Sequence, residues 1–444
     1  MIEGLKPYAE YKASGSKWLG DVPAHWAVRS LRTLIGPRNE RNRPDLPLLS
    51  VAREKGVFVR SLTGDDDNHN VIPGDLSNYK VARAGNLVIN KMKAWQGSMG
   101  IAPCDGIVSP AYFVFDFRIA NPVFGQKLLR SKPYVAHFGQ ASDGVRVGQW
   151  DLSIPGMRQI PVLVPSEDEQ AAIVRFLDHA NRKFDGFIRA KRKLIALLNE
   201  QKQAIIHRAV TRGLNPDVKL KPSGIAWLGD IPAHWEVRQL GRFITLQRGF
   251  DITKEQQSAG SIPVVSSGGV SSFHGKSSSQ GPGVIVGRKG SVGTVHFIEG
   301  PFWAHDTTLW VKDFGGNHAK FVFYVLSLLD LKRFDTGSAN PTLNRNVVHP
   351  EIVGFPPPHE QALISLYLNN ATEEIKQATT RTEREIALMQ EYRTRLTVDI
   401  VTGKLDVRAA AAQLPAAMPL GAPVNEDGAD EMDEPEMEEE NDDE

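Results

Sequence analysis

The sequence predicts an α+β protein in which two mixed α/β bodies are joined by two long antiparallel coiled-coil-like helices, with a pseudo-two-fold internal repeat. Two duplications carry this prediction. The nonapeptide WLGDVPAHW of residues 18–26 returns as WLGDIPAHW in residues 227–235, at an offset of 209. Downstream, IALLNE of residues 195–200 returns as IALMQE of residues 386–391, at an offset of 191. Repeats of this length indicate a duplicated architecture. Because the offset falls from 209 to 191, the segment between the two repeated motifs is 18 residues longer in the first copy than in the second.

Composition limits the class of protein. With one cysteine, Cys104, the chain has neither an internal disulfide nor a multi-cysteine zinc site. The N-terminus lacks the basic-then-apolar pattern of a secretion signal. The longest apolar stretch, residues 321–331, is too short and too interrupted to cross a bilayer. We therefore expect a cytoplasmic protein without a membrane partner.

The net charge of zero conceals a strong asymmetry. Residues 425–444 contain 13 acidic residues and no Lys or Arg, which leaves 39 acidic against 52 basic residues in the rest of the chain. A basic body with an acidic tail is common in proteins that contact nucleic acid. The tail is poor in apolar residues and is predicted to be disordered. It is either a solubilising extension or a phosphate mimic that competes for the basic surface.

Strand and helix patterns divide the chain into five segments. In the first body, residues 86–90 and 108–117 have the composition of strands, and residues 124–138 are helical. The second body repeats this style, with strand-like residues 283–297 and a helix over residues 319–329. The predicted boundaries are 1–165 for the first body, 166–213 for the first long helix, 214–356 for the second body, 357–405 for the second long helix and 406–444 for the disordered acidic tail.

The long helices are predicted from apolar residues that recur at alternating spacings of four and three, which is a heptad pattern. Ser166 and Glu169 suggest a capping box at the start of the first helix, whereas Gly186 weakens its middle. Neither pattern is apolar enough to stand alone in water, so each helix should pack on the other; the alternative is that each packs only on its own body. The predicted helix-packing residues are Ile173, Leu177, Phe184, Phe187, Leu198 and Ile205 in the first helix and Ile364, Leu368, Ile375, Met389 and Leu396 in the second.

Catalytic motifs are missing from the sequence. There is no nucleotide-binding P-loop, no amino-methyltransferase loop and no glycine-rich turn of the kind that binds S-adenosylmethionine. Asp45 lacks the second carboxylate that a metal-dependent nuclease needs, and Pro216–Lys219 lies in the predicted connector after the first long helix, which is a poor catalytic location. His25, His234 and His305 have no sequence-local acid or nucleophile beyond Asp306 and are interpreted as structural. We predict no catalytic residue and no bound metal.

Two loop clusters instead suit DNA recognition, because Lys and Arg contact phosphates or guanine and Asn and Gln contact adenine. Each of these two clusters follows a predicted strand in its body. Each body also has a second cluster of polar residues, which precedes its long helix. For a single cation the alternative is a solvated surface charge, and Trp18, Trp26 and their repeats are more typical of a core than of base stacking. The candidate DNA-contacting residues are Lys91, Lys93, Trp95, Gln96, Ser98 and Arg146 in the first body and Arg288, Lys289, Ser291, Thr294, Asn340, Asn344 and Arg345 in the second.

These motifs, in this order, resemble the specificity (S) subunit of type I restriction–modification systems. The likeness rests on the repeated nonapeptide, on VINKMKAWQG (88–97) followed by GIVSPAYF (106–113), on VGRKGSVG (286–293), and on the pattern PPxxEQ (356–361) before a long helix. It covers nearly the whole chain except the acidic tail. The second copy departs from the first by having His359 and no Ser-x-x-Glu box at its cap.

The resemblance implies a non-catalytic subunit with two target-recognition domains, each binding one half of an asymmetric, split double-stranded DNA target. It implies that the helices dock two methyltransferase subunits, which use S-adenosylmethionine to methylate adenine. Restriction subunits would add translocation and cleavage that use ATP and Mg²⁺. Two other classes remain open at this point: an enzyme with an unrecognised active site, and a free-standing DNA-binding regulator. The sequence does not define which bases are recognised.

Overall fold

The computed structural model describes residues 5–60, 74–144, 150–334 and 342–415. The chain divides into two compact units, one made of residues 1–187 with 388–444 and the other of residues 188–387. This division differs from the predicted segments, because its boundaries fall inside both long helices. Each unit therefore contains one body together with a part of each long helix.

The body of the first unit consists of short strands and helices that lead into the first long helix. Its strands at Leu87–Asn90 and Tyr112–Phe117 correspond to two strands predicted from the sequence. The elements, in chain order, are β1 Tyr11–Ala13, β2 Asp21–Pro23, β3 Ala27–Ser30, α1 Leu31–Leu34, β4 Ile35–Arg38, β5 Leu49–Ala52, β6 Gly56–Val59, β7 Lys80–Ala82, β8 Leu87–Asn90, β9 Met99–Ile101, β10 Gly106–Val108, β11 Tyr112–Phe117, α2 Pro122–Leu129, α3 Lys132–Gln140, β12 Ser142–Asp143, β13 Asp151–Leu152, α4 Ile154–Arg158, β14 Pro161–Val164 and the long helix α5 Glu167–Arg212.

The main sheet of the first body has the strand order β4-β11-β8-β9, and all of its pairs are antiparallel. All four residues of β8 are buried, because both faces of the sheet are covered. Leu87 and Ile89 belong to the large core, whereas Val88 packs with Val114 in a smaller cluster on the other side. Burial on both faces explains why β8 is a continuous apolar run rather than an alternating one.

The second unit repeats this plan. Its helix at Ala319–Leu328 and its strand at Gly283–Gly287 agree with the sequence-based prediction. The remaining elements of the chain, in order, are β15 Leu220–Pro222, β16 Asp230–Pro232, β17 Glu236–Gln239, β18 Thr245–Arg248, β19 Ile262–Ser266, β20 Gly269–His274, β21 Gly283–Gly287, β22 Val295–Ile298, β23 Trp303–Ala304, β24 Thr308–Asp313, α6 Ala319–Leu328, α7 Arg345–Val348, β25 Ile352–Phe355, the long helix α8 Pro358–Val401 and, in the first unit, α9 Arg408–Ala412.

The main sheet of the second body has the order β18-β24-β21-β22, again antiparallel throughout. Strand β21 therefore occupies the place that β8 holds in the first body, and β24 the place of β11. Both faces of β21 are buried as well, since Val284 and Val286 join the large core and Ile285 packs with Trp310. The duplication thus extends into the parts of the sequence that have diverged.

The repeated nonapeptide joins each body to the start of a long helix. Trp26 and Trp235 are almost completely buried, as the sequence predicted for core residues. His25 Nε2 lies 2.8 Å from Glu169, and His234 Nε2 lies 2.8 Å from Glu360. Only half of the predicted capping box forms. Ser166 Oγ accepts the amide of Glu169, but the Glu169 side chain turns to His25 and accepts a hydrogen bond from the Tyr8 hydroxyl instead.

A repeated glutamine connects each long helix to a second helix of its own body. The Gln170 carbonyl accepts the amide of Asn121 at the start of α2, and its amide group donates to the carbonyl of Pro165. Gln361 does the same with His318 and Pro356. Both glutamines are buried, and each pairs backbone groups that would otherwise be unsatisfied. This explains in physical terms why the glutamine recurs at the same offset as the helices.

The long helices α5 and α8 contain 46 and 44 residues and agree with the predicted ones to within about one helical turn. In each unit they run antiparallel and pack on each other. In the first unit Phe184 meets Tyr392 with ring centroids 5.8 Å apart, and in the second Lys191 forms a 2.8 Å ion pair with Glu385. The α+β class with long antiparallel helices is confirmed. Within the described residues, no helix combines the length and apolarity needed to cross a bilayer.

Two predictions about these helices and their flanks are wrong. Phe187 was predicted to be a packing residue, but 54% of it is exposed, whereas Ile188 is buried. The segment that begins at residue 406 was predicted to be disordered. Its first residues are instead ordered as α9, with Val407 and Ala411 fully buried. Residues 416–444, which hold the acidic cluster, lie outside the described part of the chain.

The other predicted helix-packing positions lie as follows. Ile173, Leu177 and Phe184 are buried in the first helix, and Leu198 and Ile205 are half-buried. In the second helix Ile364, Leu368, Ile375 and Leu396 are buried, and Met389 is half-buried.

Candidate nucleic-acid interface

In the first body, the candidate residues lie in the tight loop that follows β8. Asn90 forms the loop by donating its amide to the Ser98 carbonyl and by accepting the Met92 amide with its side chain. The 3-10 helix Ala94–Gln96 follows, and Gly97 closes it at φ 86°, a left-handed conformation that favours glycine. The loop therefore presents Lys91, Lys93 and Trp95 from a rigid strand end.

Two residues that the sequence did not single out complete this cluster. The Lys91 ammonium lies 2.9 Å from a carboxylate oxygen of Asp151, whose side chain is 58% exposed. The Trp95 ring lies against Trp150, with centroids 5.1 Å apart. Trp150 and Asp151 are distant in sequence from this loop, and the Lys91 carbonyl, which accepts the Leu152 amide, holds the two segments together.

The remaining candidates of the first body differ in accessibility. Lys93 is exposed and Gln96 is half-buried at the edge of a cavity of about 680 Å³, which Arg53 and Arg130 also line. Ser98 is only 2% exposed, so the prediction that it contacts DNA is wrong for this conformation. Ser98 lies between the tight turn at Gly97 and the buried first residue of β9, Met99, which explains the difference. Arg146 lies outside the described residues.

In the second body, Arg288 and Lys289 follow β21, the equivalent of β8. Their amides both donate to the carbonyl of Thr307, at 2.8 and 3.1 Å. The glycines next to Arg288 and Lys289 allow the backbone to form this tight turn. A Cβ atom on Gly287 would lie 2.1 Å from the Ser291 carbonyl oxygen, so only glycine fits there. The glycine-dense segment is a backbone requirement of this turn.

Arg288 is half-buried, and its surroundings make it receptive to an anion. Its guanidinium donates to the Asp306 carbonyl at 3.2 Å. Burial lowers the pKa of Arg288, and the nearby charge of Arg248 lowers it further, while the Asp306 carboxylate acts in the opposite direction. A phosphate or the acceptor edge of guanine would compensate two neighbouring positive charges here.

The second cluster of this body lies beside the first. The Leu343 amide donates to the Arg288 carbonyl at 2.9 Å, and Lys289 pairs with Thr342 in an isolated bridge. Asn344 and Arg345 are therefore held next to the Arg288 turn, and both are exposed. The Asn344 side chain also caps the amide of Asn346, and Arg345 donates to the Leu246 carbonyl at 3.4 Å. Asn340 lies outside the described residues.

Two hydroxyl candidates differ in how they are used. Ser291 is exposed on the turn. The Thr294 hydroxyl lies 2.5 Å from the Ser267 carbonyl, to which it donates. Its single proton is therefore engaged within the protein, and only its lone pairs remain for a ligand.

One group of metal-binding residue types lies near this cluster. Among the described residues, ligand atoms of Asp251, His305 and Asp306 lie within 4.8 Å of one another. Arg248 already forms a 2.9 Å ion pair with Asp306, and His305 lies 3.2 Å from the same carboxylate. A divalent ion would have to compete with a guanidinium, so these residues fit an orienting network for Arg248 better than a metal centre.

Sequence reasoning located both turns but missed Trp150, Asp151 and Arg248. No local motif marks these residues, because only strand pairing brings them to the candidate loops. Arg248, for example, ends β18 opposite Leu309 of β24. Together, equivalent strand ends in the two bodies carry different sets of cations, amides and aromatic rings, which are the side chains that contact phosphates and base edges.

Comparison with known proteins gives consistent results. Residues 232–386 match the family model of the type I restriction modification DNA specificity domain. A chain from the structural description of complex assembly and conformational transition of a type I R-M system has a TM-score of 0.65 at 13% identity, covering 86% of this chain and 99% of that one. The HsdS subunit from Thermoanaerobacter tengcongensis gives a TM-score of 0.46 at 15% identity, covering 87% and 98%. The S subunit from M. genitalium gives 0.38 at 14%, covering 84% and 96%. No curated protein matches.

The fold is therefore shared with a chain of a type I R-M system, and residues 232–386 match a DNA specificity domain. The matched region lies in the second body and the first part of α8, and it agrees with the resemblance to type I specificity subunits that the sequence motifs carry.

Proposed function

We propose that the two bodies recognise two different half-sites of an asymmetric, bipartite DNA target. The observation that supports this most strongly is the equivalence of the strand ends after β8 and β21. Identical sheet topologies present Lys91, Trp95 and Trp150 in one body and Arg288, Lys289 and Asn344 in the other. Because the scaffold is the same and the presented side chains differ, each body should prefer its own bases.

Binding to half-site variants tests this proposal. The full chain, with its methylation partner, is titrated with duplexes in which either half of the target is scrambled. Wild-type protein should lose affinity for both. Arg288→Ala should be less sensitive than the wild type to scrambling of the half-site that the second body contacts, while its sensitivity to the other half-site stays unchanged. Equal sensitivity of this variant to both scrambles would contradict the assignment.

We further propose that the long helices dock two methyltransferase subunits and that restriction subunits join the same complex. Leu197 on α5 and Leu388 on α8 support this, because they are equivalent at the offset of 191 and both are exposed, by 53% and 55%. An apolar side chain that is exposed at the same position of both copies is suited to contact one methyltransferase subunit in each copy. Leu197→Glu combined with Leu388→Glu should reduce methyltransferase co-purification, with unchanged thermal unfolding as the control for folding.

The cofactors follow from this division of labour. In this proposal the partner subunits, not this chain, bind S-adenosylmethionine, ATP and Mg²⁺. The duplicated chain supplies recognition and a docking surface. Binding of labelled S-adenosylmethionine to the isolated chain at the level of the complex would contradict this part of the proposal.

A further inference from the structure

The first unit contains a cavity with an excess of positive charge. It has a volume of about 680 Å³ and lies between α2, α3, the turn after β5 and the long helices. One acidic residue, Glu54, lines it. The cations that line it are Arg53, Lys127, Arg130, Lys132 and Arg393. We call this the basic cavity.

Two of these cations are neutralised by carboxylates of α5. The Lys127 ammonium lies 2.9 Å from Asp178, and the Arg393 guanidinium lies 2.7 Å from Asp185. Arg393 also donates to the side-chain oxygen of Asn181 at 2.8 Å. These two cations therefore contribute little to the net charge of the basic cavity.

The other three cations are less well compensated. Arg130 is half-buried and donates to the main-chain carbonyls of Arg53 and Glu54, both at 2.7 Å, rather than to a carboxylate. Burial lowers the pKa of Arg130, and the charge of Glu54 offsets this only in part. Arg53 lies 3.7 Å from Glu54, but the two side chains are exposed, so this pair is weak. Lys132 is exposed and forms no ion pair with any residue that the structure describes.

The start of α3 adds groups that bind anions. Main-chain amides in the first turn of a helix have no partner within the helix and carry a partial positive charge. Ser131 holds the N-cap position, but its side chain makes no capping hydrogen bond. It lines the basic cavity, is only 5% exposed, and its hydroxyl has no hydrogen-bond partner in the described part of the chain. Because buried polar groups almost always have a partner, this hydroxyl points to a ligand with acceptor oxygens.

The chain itself carries an anionic segment that begins in the same unit. The acidic tail, residues 425–444, contains 13 Asp and Glu and no Lys or Arg. The helix before it, α9, is held against α5 by Arg175, whose guanidinium donates to the Ala411 carbonyl. Asn181, which lines the basic cavity, follows Arg175 by six residues of α5, or about 9 Å of helix.

The length of the chain allows the acidic tail to reach the basic cavity. Pro415 is the last residue that the structure describes, and Glu426 follows it by eleven positions. Eleven residues span at most about 35–40 Å, and the remaining acidic residues extend this reach further. The distance along α5 is well within this range.

We propose that the basic cavity binds carboxylates of the chain's own acidic tail. The Ser131 hydroxyl, the Lys132 ammonium and the amides of the first turn of α3 donate to carboxylate oxygens, and Arg130 supplies long-range attraction. Two features favour this occupant over a DNA phosphate. The charge of the tail is opposite to that of the cavity, and a ligand on the same chain has an effective concentration on the order of millimolar.

A tail bound in the basic cavity competes with DNA at the first body. Gln96 and Gly97 line the cavity and belong to the turn that presents Lys91 and Trp95. Negative charge at this place repels the phosphates of any duplex. A duplex with the correct bases displaces the tail, because base contacts add to its affinity. The binding of the tail does not depend on the proposed function, whereas this competition with DNA rests on it.

Carbodiimide cross-linking of the full chain tests the contact, because this reagent joins only an amine and a carboxylate that touch. Lys132 should become linked to the acidic tail about tenfold more than Lys312, given the millimolar effective concentration of a bound tail. Lys312 is the matched control, because it is also an exposed lysine but lies on β24 in the second unit. The Lys127–Asp178 pair, at 2.9 Å, is the internal positive control. Addition of a duplex of random sequence should remove the Lys132 link.

Binding of the same random duplex tests the competition. The acidic residues of the tail are replaced by Asn and Gln in the wild type and in the Ser131→Ala, Lys132→Gln double variant. In the wild type this should raise the affinity about 10-fold, the factor for a tail with a Kd of ~0.1 mM at an effective concentration of ~1 mM. In the double variant the gain should fall to about 3-fold, because only long-range repulsion is relieved.

Equal linking of Lys132 and Lys312 to the tail, or no link at Lys132, would overturn the inference. An equal gain in affinity in both backgrounds would also overturn it, because the tail would then act through net charge alone. Weaker duplex binding by the double variant, without a Lys132 link in the wild type, would assign the basic cavity to DNA phosphates instead. A chain that shows the Lys132 link but binds its target no better than a random duplex would support the tail contact and contradict the proposed function.

Discussion

Replacing Arg288 by alanine should weaken specific DNA binding while leaving the fold intact. The side chain makes one long hydrogen bond, 3.2 Å to the Asp306 carbonyl, and lies near the like charge of Arg248. Removing it should cost about 1 kcal/mol of folding stability or less, since one modest bond is lost and a repulsion is relieved. A base contact is worth about 1–3 kcal/mol, which corresponds to a loss of about 5- to 150-fold in affinity.

The assay is fluorescence anisotropy of a labelled target duplex at several salt concentrations. If Arg288 contacts a base, the variant should bind more weakly with an unchanged salt slope; if it contacts a phosphate, the slope should decrease by about one. Lys312 is a suitable control, because it is an exposed cation near the far end of β24. Lys312→Ala should bind like the wild type.

Lys91→Ala should give a comparable loss through the first body, because Lys91 lies at the equivalent strand end. Wild-type affinity and an unchanged salt slope in both Arg288→Ala and Lys91→Ala would refute the reasoning that assigns these strand ends to DNA.

Three further predictions concern the scaffold. Gln361→Ala should lower the free energy of unfolding by about 1–3 kcal/mol in urea titrations, because it leaves the buried carbonyl of Pro356 without its donor and removes the acceptor of the His318 amide; an unchanged midpoint would show that water replaces the side chain. The hydrogen bond from Lys191 lowers the pKa of Glu385 in the folded protein. This ion pair therefore stabilises the fold above the ordinary pKa of a glutamate, and its contribution is lost as the pH falls through the lowered pKa of Glu385. Lys191→Met should therefore lower the Tm more at pH 7 than at pH 3, and equal shifts at both would contradict an ionic origin. Inserting four residues, about 6 Å of helix, into both long helices should lengthen the gap between the recognised half-sites or abolish binding; an unchanged gap would mean that helix length does not set the spacing.

The sequence predicted the long helices well but misplaced part of their packing. A strict heptad has 3.5 residues per turn, whereas a straight helix has about 3.6, so the predicted positions drift by roughly 20° per heptad. After two heptads from Ile173 the pattern points to Phe187, but the structure exposes Phe187 and buries its neighbour Ile188. The spacing of apolar residues in the sequence could not show this drift, because the drift depends on how straight the packed helices are.

The sequence also located both candidate turns, yet it could not define which residues surround them. Ser98 has the residue type of a DNA contact, but it is buried directly before strand β9. Trp150 and Asp151 join the first turn, and Arg248 joins the second, through pairings with distant strands. A motif shows which side chains a turn contains. It does not show which distant residues strand pairing places beside that turn.

The C-terminal segment shows a different limit. Acidic composition led to the prediction of disorder from residue 406 onward, but after Asp406 itself the next acidic residue is Glu426. Val407, Ala411 and Leu414 have the spacing of one helical face and pack into the core of the first unit. When the amino-acid composition is averaged over the whole C-terminal segment, the charged tail outweighs the short apolar helix, and the helix is not predicted.

The most direct test of the central claim is single-molecule mapping of methylated adenines in cells that carry this system. Two different half-sites separated by an unspecified gap are expected in the wild type. Arg288→Ala should relax the bases of one half-site only. A continuous or palindromic methylated sequence, or relaxation of both halves by this single substitution, would contradict recognition by two diverged bodies.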